Sequence, residues 1–98
     1  MASVGKVSDV APGRLLAVEV NGEQVAVANV DGRFYAIGDT CTHRGCSLAE
    51  GELEGKVITC RCHGGQFDVT TGEVVVGPPQ EPEKAYPVQV VGDELRIG

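Results

Sequence analysis

The sequence predicts an all-β fold, a small antiparallel sandwich or barrel. Three observations carry that prediction. Two-residue turn signals recur at short intervals, apolar residues alternate with period two between them, and no segment holds a helical period for more than one turn. The composition agrees: the 98 residues include fourteen Gly but only two Phe, two Tyr and no Trp. Val and Gly in those proportions suit strands joined by tight turns. A chain of this length makes one domain, here residues 1–98, with a core modest enough to call for a metal or a disulfide as a staple.

The elements follow in order. Residues 14–20 alternate, with Leu16, Val18 and Val20 on one face, and Asn21-Gly22 then supplies a hairpin turn. Residues 23–30 return with Val25 and Val27 aligned, and Asp31-Gly32 turns the chain again into residues 33–38, which carry Phe34, Tyr35 and Ile37. A helical turn at most fits residues 47–50. Residues 53–59 read as a hairpin-like segment that rises to the second Cys/His stretch, and strands are expected at 56–60, 66–69, 73–76, 85–91 and 94–97, with turns at Thr70-Thr71-Gly72 and Gly92-Asp93. Pro78, Pro79 and Pro82 stiffen a loop at about residues 77–82. Pro87 falls inside a predicted strand and requires an edge or a bulge there.

A formal net charge of -6 argues against a nucleic-acid partner, because binding there depends on neutralising phosphates. It argues equally against an anionic membrane surface. It suits either a partner with a basic docking patch or plain solubility. No apolar run approaches a membrane span, and the opening residues lack the apolar centre of a signal peptide, so the expected location is the cytoplasm.

All four cysteines and both histidines lie in two short stretches, CTHRGC at residues 41–46 and CRCHGG at residues 60–65. Both fall between strands and can meet at one tip. Cys41-x-His43 and, sixteen residues on, Cys60-x-x-His63 each offer one thiolate and one imidazole. Those four donors suit a tetrahedral zinc, or a two-iron cluster that takes both histidines on one iron. Two disulfides would leave the histidines at ligand spacing without a purpose. Cys46 and Cys62 are left over.

This pattern resembles the Rieske [2Fe–2S] motif, with the glycines after each His and Gly77-Pro78-Pro79 matching as well. The resemblance covers essentially the whole chain, and it implies cluster-binding loops at about residues 41–48 and 60–66. It implies one [2Fe–2S] cluster per chain, with Cys41 and Cys60 on the inner iron and His43 and His63 on the outer one. Gly45, Gly64 and Gly65 would let backbone N–H groups approach the cluster sulfurs. Cysteines at the positions of Cys46 and Cys62 form a disulfide between the loops in Rieske subunits of cytochrome bc complexes, whereas most oxygenase ferredoxins lack the pair. A Cys46–Cys62 disulfide is therefore implied, the alternative being two reduced thiols packed in the tip. High-potential members carry hydroxyl donors where this chain has Gly65 and Phe67, so these two tuning positions imply a potential near the negative end of the Rieske range.

The function so implied is that of a one-electron carrier and not of an enzyme. The length resembles that of soluble ferredoxins that take electrons from a flavin-dependent reductase and pass them to a terminal oxygenase, with the carrier itself a monomer. Two other functions fit the same residues: a small electron-transfer subunit of a larger nitrite- or arsenite-type oxidoreductase, and a structural zinc domain. Asp68 and Glu73, the carboxylates nearest the second loop, read as solvated surface.

Overall fold

One strand, β3 (Glu23–Val30), is buried on both faces from Val25 to Asn29, and it divides the hydrophobic interior in two. Val25 and Val27 enter one cluster, with Val10, Val20, Ala36, Leu95 and Ile97. Ala26 and Ala28, pointing the other way, enter the second with Ile37, Leu48, Ile58, Cys60, Phe67 and Val69. Period-two alternation forces this sorting. The small alanines on the second face leave room for Leu48, Ile58 and Phe67, each fully buried.

The computed structural model describes residues 2–40, 46–62, 64–77 and 81–98. The other strands are β1 (Ala2–Lys6), β2 (Leu15–Val20), β4 (Arg33–Gly38), β5 (Glu52–Glu54), β6 (Val57–Thr59), β7 (Gln66–Asp68), β8 (Val74–Val76), β9 (Ala85–Tyr86), β10 (Val88–Val91) and β11 (Glu94–Ile97). They form three antiparallel sheets, ordered β1-β11-β10, β2-β3-β4-β9 and β5-β6-β7-β8. The β2–β3–β4–β9 sheet feeds both cores. The third sheet carries the candidate site at its β6–β7 end. Among the described residues the helical elements are two single 3₁₀ turns, Val7–Asp9 and Leu48–Glu50, and no helix is long and apolar enough to cross a membrane.

The two hairpin turns form as their residue types require. Asn21 and Gly22 have φ of 51° and 81°, and Asp31 and Gly32 have 52° and 90°. A turn with two positive φ angles matches the twist of the flanking strands, and Asn, Asp and Gly tolerate it best. Asn29 fixes the second hairpin from inside: its Nδ2 donates to Val10 O at 2.7 Å and its Oδ1 accepts from Gly32 N at 2.7 Å.

Two expectations need correction. Residues 85–91 are not one strand. Pro87 separates β9, which pairs with β4, from β10, which pairs with β11, so the proline turns the chain from one sheet to another. The N-terminal segment adds a strand for which the sequence carried no turn or alternation signal, β1, paired with β11 through an irregular register at Ser3/Gly5. Asp68 is only partly solvated: its side chain is 16% exposed and lies 3.4 Å from Lys56 Nζ. Burial alone would raise its pKa, but the Thr70 hydroxyl and amide and the Lys56 ammonium outweigh that and hold it below the ordinary carboxylate value.

Gly51 marks the tightest crossing. Its φ of -84° is ordinary, but a Cβ there would run into the carbonyl oxygen of Thr59. Gly51→Ala should therefore force the β5–β6 edge apart and cost about 1–3 kcal/mol, the usual penalty for overpacking. Gly55→Ala meets open space and should cost only the left-handed backbone penalty of about 1–2 kcal/mol. Denaturant midpoints of the two variants, with far-ultraviolet spectra to show retained strands, measure the difference.

Tyr86 ties β9 to β3 by donating its hydroxyl proton to the Glu23 carboxylate, with Lys84 Nζ 4.9 Å above its ring. Burial, then the Glu23 hydrogen bond and charge, push its pKa up to about 12 from an ordinary 10.0. The unfolded chain thus releases this proton first. The contribution is complete below pH 10 and is lost as pH rises towards 12. Denaturation followed across that window should show stability falling, and Tyr86→Phe should flatten this part of the fall.

Candidate metal centre

The first loop is held at its base by Asp39, at the end of β4. Asp39 N donates to Gln24 O at 3.0 Å, and its carbonyl accepts from Leu48 N at 2.7 Å. Its buried carboxylate accepts from Ser47 Oγ at 2.6 Å and from Ala49 N at 2.8 Å. An isolated bridge between Thr40 and Ser47 closes the base. One side chain thus fixes both ends of the stretch between positions 39 and 49, and Leu48 anchors it in the core beneath. Asp39 went unnoticed in the sequence. The signal was an Asp just before CTHRGC, since Asp side chains organise nearby backbone in turns.

The second loop leaves β6 at Thr59 and returns at Gln66, which pairs with it. Cys60 N donates to Gly65 O at 2.7 Å, and Gly64 N donates to Cys60 O at 3.0 Å. Gly64 has φ +72°, which the turn requires and which other residues rarely adopt. The N–H of Gly64 therefore closes the turn on the Cys60 carbonyl. The turn holds Cys60 in the floor of the tip, 1% exposed, in the same buried cluster as Phe67. An open cleft of about 400 Å³ flanks it, lined by Glu50, Gly51, Glu52, Thr59, Arg61 and Gly64 as well as Cys60 itself.

A disulfide joins Cys46, at the end of the first loop, to Cys62 in the second, with the Cα atoms 6.5 Å apart. The loops implied to form one tip are therefore covalently tied. Cys60 is the free cysteine among the described residues, and the sulfurs of Cys46, Cys60 and Cys62 all lie within 4.8 Å of one another. An Arg61–Glu50 contact at 3.9 Å spans the same region, but both side chains are well exposed and the pair contributes little. Strand β8 runs beside the exit of the second loop, with Val76 paired to Gln66. It leads to Gly77 and the proline loop, and Val75 and Val76 stand 51% and 47% exposed. Of the residues singled out in the sequence, Cys41, His43, Gly45 and His63 lie outside the described residues, as do Pro78 and Pro79.

The Rieske [2Fe-2S] domain model matches residues 1–90. The chain belongs to the Rieske [2Fe–2S] family. The biphenyl dioxygenase ferredoxin subunit of Pseudomonas sp. (strain KKS102) is 45% identical over 92 residues, spanning 93% of this chain and 84% of that protein. The ferredoxin of carbazole 1,9a-dioxygenase from Nocardioides aromaticivorans IC177 superposes with a TM-score of 0.94 at 33% identity, covering 98% of this chain and 94% of that one. A chain in the complex of reduced oxygenase and oxidized ferredoxin in carbazole 1,9a-dioxygenase superposes with a TM-score of 0.93 at 40% identity, covering 99% and 100%.

The described residues fit the Rieske cofactor, a [2Fe–2S] cluster. Cys60 offers an unpaired, buried thiol on a turn fixed by backbone hydrogen bonds, and thiolate is the donor that iron–sulfur clusters require. The disulfide brings the end of the CTHRGC stretch to the same place. Gly65 is buried beside Cys60, and its carbonyl is committed to the Cys60 amide.

Asp39→Ala removes two hydrogen bonds at once and leaves the Ser47 hydroxyl and the Ala49 amide without their acceptor. The expected loss is about 1–3 kcal/mol in unfolding free energy. Asp39→Asn keeps one acceptor oxygen and should lose less. Trypsin cleavage after Arg44 should accelerate in the Ala variant well before cleavage elsewhere.

Proposed function

We propose that this chain is the ferredoxin of a multicomponent oxygenase system: one Rieske domain over residues 1–98, a soluble cytoplasmic monomer that carries one electron at a time and performs no catalysis. Its electrons would come from a flavin-dependent reductase and go to a terminal oxygenase. The observation that carries this reading is the buried Cys60 thiol on its glycine turn, tied through Cys46–Cys62 to the CTHRGC stretch. Ferredoxin components of dioxygenase systems among its relatives support the choice of partner. The acidic surface, including Glu50 and Glu52 beside the Cys60 cleft, suits partners with basic docking patches.

Cys41 and Cys60 would hold one iron, and His43 and His63 the other. The bound cluster supplies reversible one-electron storage. The chain keeps that site rigid through the Asp39 bracket and the disulfide, so that little has to move when charge arrives. It also keeps one thiolate dry, because Cys60 sits in the core beside Phe67 and Leu48.

The purified protein should be red-brown with two iron and two sulfide per chain, and His43→Ala or His63→Ala should lose the colour. A colourless protein with stoichiometric zinc would overturn the reading. Co-purification with a large oxidoreductase partner would replace the free carrier with a subunit.

Gly65 and Phe67 set a second expectation. Neither supplies a hydroxyl, so the potential should lie near the negative end of the roughly -150 to +300 mV Rieske range. A hydroxyl donor that favours the reduced state by about 1–1.5 kcal/mol raises a one-electron potential by about 45–65 mV. Gly65→Ser and Phe67→Tyr should each shift the midpoint upwards by that order in film voltammetry. Phe67 is fully buried in the same cluster as Cys60, which puts a tyrosine hydroxyl there in a dry site.

A further inference from the structure

We propose that Cys60 is the nucleophile of an internal thiol–disulfide exchange that moves the bridge from Cys46–Cys62 to Cys46–Cys60 when the cluster is absent. The inference rests on the reading of Cys60 as a cluster ligand only for its dependence on the cluster. The exchange itself rests on three sulfurs within 4.8 Å of one another, one of them a free thiol.

The geometry favours one direction of attack. Cys46 is half-buried and packs against the cluster that contains Cys60, whereas Cys62 is exposed. Attack by the Cys60 thiolate on the Cys46 sulfur therefore expels Cys62 into water, where a departing thiolate is best solvated. Attack on Cys62 would instead join residues two apart and release the first loop. The chosen product keeps both loops tied. Closing the remaining gap to a bond of about 2 Å requires a side-chain rotation and some give in the Gly64 turn, where the backbone already sits at φ +72° in open space.

The step balances without an oxidant. The Cys60 electron pair forms the new bond to Cys46, and the Cys46–Cys62 bond breaks with its pair on Cys62, which takes up a proton from water. One thiol disappears and one appears. The consequence is that the free thiol moves from the buried ligand Cys60 to the exposed Cys62, which is not a ligand in the proposed set. An empty ligand thiol can be oxidised irreversibly, but a disulfide can be reversed. The cluster-free chain would park its buried ligand in a bond that a second exchange undoes, and a sulfur committed to iron would not react.

The test uses the whole chain, as isolated with its cluster and after removal of iron by a chelator under anaerobic conditions. Aliquots are quenched in acid at intervals, alkylated and mapped by mass spectrometry. In stripped protein, Cys62 labelling should rise mole for mole as Cys60 labelling falls, with Cys41 labelling constant. In loaded protein Cys62 should stay protected. Cys60→Ser should abolish the appearance of Cys62, and Cys41→Ser should leave it intact. Cys60 remaining fully labelled with Cys62 protected at long times would overturn the proposal. So would bridges that include Cys41, or Cys62 released in Cys60→Ser, because either means scrambling by an unfolded chain. Equal exchange before and after chelation would support the exchange and count instead against Cys60 as a ligand.

Discussion

The covalent tie between Cys46 and Cys62 is the constraint on which the rest of the tip depends. It joins loops that leave different sheets, one from β4 and one from β6. Among the described residues, strand pairing ends at Thr40–Ser47 in one and at Thr59–Gln66 in the other, so the tie between them there is the disulfide. Closing a loop of about 15 residues removes roughly 3 kcal/mol of freedom from the unfolded chain. That is a large share of the stability of a small domain.

The scaffold below the tie is built to keep its contacts close. Strand β3 serves two cores at once, and its alternation of valine and alanine matches the bulk of what packs on each face. Glycines stand where backbones cross. A Cβ at Gly51 would strike Thr59 O, and one at Gly72 would strike Glu83 O, so the tip sheet and the segment leading into β9 approach nearer than any side chain allows. The segment around Glu83 is fastened on both sides, with Glu83 N donating to Gly72 O at 2.8 Å and Gly38 N to Lys84 O at 2.9 Å.

Electron transfer asks for a rigid site near a surface that partners can reach, and the chain divides those tasks between layers. The thiol lies in the floor, with Leu48, Ile58 and Phe67 around it. The tie to the first loop lies above it, with Cys62 exposed. The two edges of the tip sheet differ in chemistry: β5 carries exposed Glu52 and Glu54, while β8 carries exposed Val75 and Val76. Rigid placement by backbone hydrogen bonds and a disulfide is what keeps a metal site at its working geometry.

What the sequence determined by itself was local. Asn21-Gly22 and Asp31-Gly32 specify their hairpins because a positive φ is a property of the residue and its neighbour. Alternation marked β2 and β3 because side-chain direction has period two. The Cys-x-His and Cys-x-x-His spacing pointed to the family because ligand spacing is read along the chain, and the leftover cysteines, through that resemblance, to the bridge. Tertiary structure decided what depends on residues far apart. It paired β1 with β11, split the strand at Pro87 between two sheets, buried Asp39 under the first loop and turned the Gly64 amide inwards to Cys60. It also gathered three sulfurs in one place. Pro87 and Asp39 left local hints, but which partners they meet is set, as for the others, by which surfaces the fold brings together once two cores must be filled from opposite faces of one strand.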